Sequence, residues 1–382
     1  MLKQHYPEVG FLLLLPLQKI LDLMAKFHTL KVADITKETT DSVSIGFAIP
    51  ENLQDDFKYI QGQYLTLKMD INGEDVRRSY SLCTSPVADS ELRVAVKKVE
   101  GGVMSTYLNE NLRIGATLDV MTPMGKFYTE VSPAQKKNYV LFAGGSGITP
   151  MLGILKTVLA VEKESTVTLL YANRNEFTVI FKKELDQLNQ NNSNLDIKYI
   201  YDQAPTGHNN MYSGMVSSGK AAAIFRENDL VKSTDEIFIC GPGPLMENVI
   251  EGLKSLNFEK SKTHVEYFTT VLKDIENAEK AVDDSDFEGT SAVTVILDGD
   301  EMTFDLKSDG DSILDAAIDA GMDVPFSCKG AVCCTCRAKV LTGKVNMEMN
   351  YSLEEDEVEE GFILTCQSHP RSEKITIDFD QM

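Results

Sequence analysis

The sequence predicts a multidomain protein in three folded parts: an antiparallel β-barrel, a doubly wound α/β unit with a parallel sheet, and a smaller α+β unit built around a cysteine loop. Three observations carry that expectation. Residues 29–133 alternate apolar and polar positions between tight turns. Residues 134–270 alternate short apolar runs with helix-like stretches. Within residues 291–382, four cysteines crowd into nine positions. At 382 residues, 43% of them hydrophobic, the chain has material for two or three cores rather than one.

The first part reads as strands. "LKVADITKETTDSVSIGFAIP", "QYLTLKMDINGEDVRRSYSLC" and "ELRVAVKKVEGG" follow a period of two and break at Gly, Pro and an Asn-Gly turn. Short strands joined by turns make a small antiparallel barrel. In "RRSYSLCTSP" alternation sends Arg78 and Tyr80 to one face, with Ser81 next in line. A guanidinium suits a phosphate, and a phenol ring suits stacking on a flavin. "GGVMSTYL" offers Gly102, Ser105 and Thr106 as a loop entering a helix, whose free amides favour an anion. Taken singly, Tyr80 reads as cross-strand packing and Arg78 as a solvated charge. Together with "GGVMST" and "PMGKF" they read as a binding face.

The second part changes period. "NYVLFAGGSGITP", "STVTLLYANR" and "DEIFICGPGP" are apolar runs, each followed by a break and a helical stretch such as "MLGILKTVLAVEK", "FKKELDQLNQ" or "LMENVIEGLKSL". That βαβ rhythm implies a parallel sheet with helices on both faces. Gly144, Gly145 and Gly147 allow a sharp turn and close approach to a diphosphate at a helix N-terminus, with Pro150 early in that helix. Alone, such a turn serves equally as a simple tight turn. A second strand end, "CGPGPLM", adds Cys240, Gly241 and Pro242, a small-residue surface suited to a nicotinamide ring in the crevice at the strand carboxyl ends. Arg174, in "YANRNEF" after a central strand, suits a 2′-phosphate and so favours NADPH over NADH, or is a surface charge. Residues 271–290 are acidic and weakly patterned, as in a linker.

The third part opens with a hairpin, "SAVTVILDGDEMTFDL", and a short helix, "SILDAAIDAGM", before the cysteines. Cys328, Cys333, Cys336 and Cys366 give C-x4-C-x2-C…C, the plant-type spacing for a [2Fe-2S] cluster. Zinc more often shows two matched C-x2-C knuckles. Disulfides do not fit adjacent Cys333 and Cys334 in a chain of this length. Cys334 is a small buried neighbour or a reserve ligand.

The formal net charge of −21 argues against nucleic acid. It favours a basic docking surface on a partner, or reflects solubility alone. No apolar run reaches the roughly 20 residues of a membrane span. Residues 1–28 form an amino-terminal extension: "FLLLLPL" resembles a signal core but lacks a cleavage site, and Met24 begins a stretch that reads as a natural start. A cluster-bearing protein with reduced thiols is expected in the cytoplasm. Five histidines and no E-x-x-H pair leave nothing from which to build a di-iron oxygenase site, so oxygen chemistry is expected on another protein.

Arg78-Ser79-Tyr80-Ser81, Gly102-x-x-Ser105, Pro123-x-Gly125-x-Phe127, "GGSGITP", "CGPGPLM" and the cysteine tail stand in the order found in ferredoxin-NADP reductase-like flavoenzymes fused to a plant-type ferredoxin domain, and residues 24–382 resemble that family. More narrowly, "MAKFHTLKV", "RRSYSLCTSP", "PFSCKGAVCCTCRAKV" and "LTCQSHP" are similar to the reductase subunits of phenylacetyl-CoA epoxidase (monooxygenase) complexes, a layout shared with reductases of steroid hydroxylases and other oxygenases. The resemblance implies an FAD-binding barrel at 29–133, an NAD(P)-binding domain at 134–270 and a β-grasp ferredoxin-like domain at 291–382. It implies that Arg78 binds the FAD diphosphate, Tyr80 stacks on the isoalloxazine and Ser81 sits near N5. Ser105 and Thr106 cap the diphosphate helix. Gly144, Gly145, Gly147 and Thr149 hold the nicotinamide dinucleotide, with Cys240 beside the reacting carbon. Glu266 and Phe268, in "HVEYF", lie at the flavin edge.

A hydride brings two electrons and a [2Fe-2S] cluster takes one, so a flavin must stand between them. The expected activity is therefore electron transfer from NAD(P)H through FAD and the cluster to a partner oxygenase component. The acidic run "YSLEEDEVEEGF" steers a basic partner surface, or is a solvated charge run. A reductase with a different acceptor and a non-enzymatic cluster carrier or sensor remain as alternatives.

Overall fold

The computed structural model describes residues 26–268 and 287–381. The readings of "FLLLLPL", of Met24 and of most of the acidic linker fall outside them.

Six strands form the barrel: β1 (Phe27–Thr39), β2 (Ser42–Ala48), β3 (Tyr64–Ile71), β4 (Glu74–Ser81), β5 (Leu92–Lys97) and β6 (Thr117–Met121), with helix α1 (Val103–Glu110) between the last two. They pair antiparallel in the order β4-β3-β6-β1-β2-β5, and a bridge from Leu82 to Val94 joins the two edges. Closure removes the unpaired edges that an open sheet would leave. The predicted Asn-Gly turn is present, with Asn72 at φ 60° and Gly73 at φ 84°, as a two-residue hairpin requires. Leu30, Val32, Ile45, Leu65, Leu67, Val94 and Val120 fill the interior. The first strand begins at Phe27, inside the stretch assigned to the extension.

The α/β domain has strands β7 (Asn138–Gly144), β8 (Thr166–Asn173), β9 (Leu195–Tyr201), β10 (Glu236–Cys240) and β11 (Thr263–Glu266), and helices α2 (Ile148–Val161), α3 (Lys182–Asn191), α4 (Ser218–Glu227), α5 (Leu230–Ser233) and α6 (Gly243–Ser255). All its strand pairs are parallel, in the order β11-β10-β7-β8-β9. The apolar run of β7 has a simple cause: Tyr139, Leu141 and Ala143 enter one core, and Val140 and Phe142 the other. Helix α2 is apolar on nearly every side because it lies between this sheet and the barrel. Gly153 lets the Thr84 carbonyl approach where a Cβ would meet it at 2.8 Å, and Thr157 donates to Ser85 at 2.7 Å.

The third domain is a mixed sheet of β12 (Thr290–Leu297), β13 (Asp300–Lys307), β14 (Arg337–Thr342), β16 (Phe362–Leu364) and β18 (Lys374–Asp378), ordered β13-β12-β18-β14-β16. A ribbon of β15 (Val345–Met347) and β17 (Ser368–Pro370), and helices α7 (Ile313–Asp319) and α8 (Glu355–Glu359), complete it. Its Asp298-Gly299 turn has φ of 56° and 78°, the hairpin geometry read from the sequence. Thr290, the last residue assigned to the linker, already belongs to a strand.

This domain docks against the barrel. Arg77 on β4 pairs with Asp323 at 2.8 Å, Ser79 donates to Ser327 at 2.9 Å, and the Tyr64 hydroxyl meets Thr335 at 3.2 Å. The cysteine loop is thereby held against the end of β4.

Candidate active site and cluster loop

In the parallel sheet, strand order reverses between β7 and β10, so their carboxyl ends open a crevice. The two predicted turns meet there. A Cβ on Gly147 would lie 2.1 Å from the Cys240 carbonyl oxygen, and one on Gly144 would lie 2.3 Å from Leu245 Cδ2. Only glycine lets the turns interlock. Gly145 adopts φ 51°, and Thr149 donates to the Ser146 carbonyl at 3.0 Å, tightening the helix entry.

Strand register sets the next contact. Cys240 pairs with Glu266 across β10 and β11, and Ser81 at the end of β4 donates to Glu266 Oε2 at 3.2 Å. Three residues from three distant stretches thus come together. Burial raises the Cys240 thiol well above its ordinary range, and the Glu266 charge adds to this. Burial also pushes Glu266 up to about 8, with the Ser81 hydrogen bond pulling slightly the other way. Its carboxyl end is enclosed although the residue as a whole is half-buried. At neutral pH the group is largely uncharged. An uncharged junction is suited to receiving a hydride.

A cleft of ≈ 80 Å³ opens beside this trio, lined by Arg78, Ser79, Ser81, Glu266 and Phe268 on one side and by Cys328 and Cys333 on the other. Arg78 is exposed and anchored by a 2.7 Å bond to the Arg77 carbonyl. Tyr80 does not line this cleft: it is half-buried and packs against the barrel core. Gly102 is the N-cap of helix α1, and no side chain caps the helix. Ser105 instead accepts from the Val99 amide at 3.1 Å and donates to the Gly102 carbonyl at 3.3 Å, bracing the turn, while the Thr106 amide makes the first helical bond to Gly102. An exposed guanidinium and an uncapped helix N-terminus on the same barrel fit a flavin nucleotide's diphosphate. Arg174 is exposed just beyond the end of β8, at the carboxyl edge of the sheet.

The cysteine loop turns through two left-handed residues, Lys329 at φ 51° and Ala331 at φ 63°. The Gly330 amide reaches Cys328 Sγ at 3.2 Å, and the Cys328 amide reaches Cys333 Sγ at 3.4 Å. The sulfurs interact as two pairs, Cys328 with Cys333 and Cys336 with Cys366. Among the described residues no three His, Cys, Asp or Glu surround a single point as ligands of one ion. Four thiols with backbone amides directed at sulfur would suit a [2Fe-2S] cluster better than one tetrahedral zinc. Cys334 turns away and donates to the Ser352 carbonyl at 3.0 Å.

Sequence reasoning missed Arg77. It is buried, lies over the rings of Phe326 and Phe27 at 4.2 and 5.3 Å, and pairs with Asp75 and Asp323. Its signal was the strand alternation that sends it to the face opposite Arg78. Within the acidic run, Glu354, Glu355, Asp356, Glu359 and Glu360 are exposed, and Glu357 alone is buried. Glu357 is buried against Lys126 at 2.6 Å and Arg337 at 3.0 Å, and Glu355 lies 3.7 Å from Lys260.

The chain matches three families, described as "Oxidoreductase FAD-binding domain" over residues 29–128, "Oxidoreductase NAD-binding domain" over 141–251 and "2Fe-2S iron-sulfur cluster binding domain" over 295–371. It is 40% identical to one of the subunits of the 1,2-phenylacetyl-CoA epoxidase of Escherichia coli (strain K12), across 94% of this chain and 99% of that one. It is 35% identical to the "3-ketosteroid-9-alpha-monooxygenase, ferredoxin reductase component" of Rhodococcus rhodochrous, across 92% and 96%. Among solved structures, phthalate dioxygenase reductase has the same three-domain fold, with TM-score 0.56, 24% identity and coverage of 92% and 98%. A type IV self-sufficient cytochrome P450 monooxygenase also shares the fold, with TM-score 0.67, 22% identity and coverage of 92% and 41%. The cleft shared by the barrel, the β11 end and the cysteine loop therefore has its place in a known design: the chain belongs to the reductase components of multicomponent oxygenases, which carry electrons from NAD(P)H through FAD and a [2Fe-2S] cluster.

Proposed function

We propose that this chain is the NADPH-dependent reductase of a phenylacetyl-CoA epoxidase complex, working in the cytoplasm with the complex's oxygenase component. The observation that carries the electron path is that Cys328 and Cys333 line the same cleft as Ser81 and Glu266. When bound, FAD accepts the hydride's electron pair and releases the electrons singly to the [2Fe-2S] cluster. Arg78 holds the flavin diphosphate, and Tyr80 supports the ring from the barrel side. Glu266 orients the Ser81 hydroxyl and, uncharged, keeps the junction free of a carboxylate that would repel incoming negative charge. Cys240, Gly241 and Pro242 shape the nicotinamide's resting place, and Phe268 shields it at the mouth of the cleft. Gly144, Gly145, Gly147 and Thr149 receive the dinucleotide phosphates, and Gly102, Ser105 and Thr106 present the α1 amides. Cys328, Cys333, Cys336 and Cys366 ligate the irons. The choice of acceptor rests on the 40% identity to the Escherichia coli epoxidase protein.

The test is reconstitution. Purified reductase mixed with the oxygenase component of a phenylacetyl-CoA epoxidase should couple NADPH oxidation to consumption of phenylacetyl-CoA. Coupling to a 3-ketosteroid oxygenase in its place would overturn the assignment. Arg174→Ala should raise the KM for NADPH about tenfold, the scale of one lost charge-assisted contact, and leave that for NADH unchanged. Equal effects on both would reject the 2′-phosphate role.

A further inference from the structure

Gly125 of the Pro123-x-Gly125-x-Phe127 motif makes room for a ring. It adopts φ 109°, and a Cβ there would lie 2.9 Å from Tyr64 Cδ1. Tyr64 opens β3, where it pairs with Ser81 on β4, and its amide and carbonyl exchange hydrogen bonds with Met124 at 2.8 and 3.0 Å. Its backbone is thus fixed on both edges. The hydroxyl reaches into the ferredoxin-like domain and meets Thr335 Oγ1 at 3.2 Å, in the part of the cysteine loop between Cys333 and Cys336. Both residues are enclosed, Tyr64 at 6% exposure and Thr335 at 2%.

Thr335 in turn faces Cys333. After the larger contribution of Cys328, and against burial, the hydroxyl and then the amide of Thr335 hydrogen-bond to that sulfur and favour its thiolate. A thiolate bound to iron accepts hydrogen bonds and has no proton to donate. The single hydroxyl proton of Thr335 is therefore free for Cys333 only when Tyr64 donates to Thr335 rather than accepting from it. Tyr64 has that proton to give: burial, and then the neighbouring thiols, raise it well above the ordinary range of a phenol. We propose that Tyr64 is a positioning residue of the barrel, which turns the Thr335 hydroxyl onto Cys333 and so sets the reduction potential of the cluster in the neighbouring domain. This rests on the proposed ligation of iron by Cys333. A donor at sulfur eases the added negative charge of the reduced state, and in an enclosed chain each hydroxyl polarises the next.

A redox titration of the cluster-loaded, full-length protein tests this. Tyr64→Phe keeps the ring against Gly125 and removes only the hydroxyl. Its cluster should be reduced with an equilibrium constant about threefold smaller, the scale of one hydrogen bond, which is a potential about 28 mV lower at about 59 mV per tenfold for one electron. Thr335→Val should lower the potential at least as far, and Thr335→Ser, which keeps the hydroxyl, should hold the wild-type value. Adding Tyr64→Phe to Thr335→Val should change nothing more. A tyrosine that only packs would leave the potential in place. A wild-type potential in Tyr64→Phe, or a further threefold loss on the Thr335→Val background, overturns the inference. Absence of a [2Fe-2S] electron paramagnetic resonance signal from the dithionite-reduced wild-type protein overturns the ligation by Cys333 instead, and this inference with it.

Discussion

Glu266 is where charge matters most at the scale of a single residue. Its pKa lies at about 8 rather than 4.5 because burial opposes ionisation. The folded protein therefore keeps a proton that the unfolded chain has lost between those values, so this group's contribution to stability falls as pH rises through that window, by up to roughly 1.4 kcal/mol per pH unit. Glu266→Gln should flatten urea-unfolding stability between pH 5 and about 8 and remove the matching inflection from flavin reduction. A variant with an unaltered profile would show that another group titrates. Arg77 is the second decisive residue. Arg77→Ala removes a guanidinium held between two rings and two carboxylates. About 2 kcal/mol of stability should be lost, less than for a fully enclosed pair because Asp323 is mostly exposed. Amide exchange should rise around residues 322–327 as the ferredoxin-like domain loosens; unchanged exchange there would place its role within the barrel alone.

At the scale of elements, the interlocked ends of β7 and β10 decide how the crevice is shaped. Gly147→Ala would drive a methyl into the Cys240 carbonyl, at 2.1 Å from its oxygen. The backbone must yield, at a cost of about 3 kcal/mol, and the crevice should lose dinucleotide affinity with it. A variant with wild-type melting and NADPH KM would mean that the turns do not bear on each other. Helix α2 shows the opposite case, an element whose apolar sides are all used because it packs between two domains. Its composition alone reads as a buried helix without saying what covers it.

At the scale of the molecule, exposed ion pairs contribute to the boundary between the ferredoxin-like domain and its neighbours. Salt loosens ion pairs such as Lys260–Glu355, freeing the ferredoxin-like domain, but it also screens the attraction to a cationic partner. The rate of delivery to the oxygenase should therefore pass through a maximum as ionic strength rises. A monotonic fall would indicate that docking to the barrel does not limit delivery.

Much of this protein was legible from neighbours along the chain. The cysteine spacing, the two left-handed hairpin turns and the glycine-rich strand ends depend on backbone angles and ligand geometry that a few adjacent residues set. Distant contacts were another matter. The Ser81–Glu266 bond joins positions 185 residues apart and the Arg77–Asp323 pair 246 apart, and no local pattern marks either. Alternation put Arg78 and Tyr80 on one face and Arg77 on the other, and only packing assigned Arg77 to hold a domain. The acidic run reads as a solvated or steering surface, and five of its acidic residues are exposed, but the pairing of Glu357 with Lys126 and Arg337 is set only by the fold. The sequence by itself determined which chemistry is present, because spacing and residue type suffice for that. Only the tertiary structure decided which groups meet, because burial and charge pairing depend on surfaces that come together after each domain has formed.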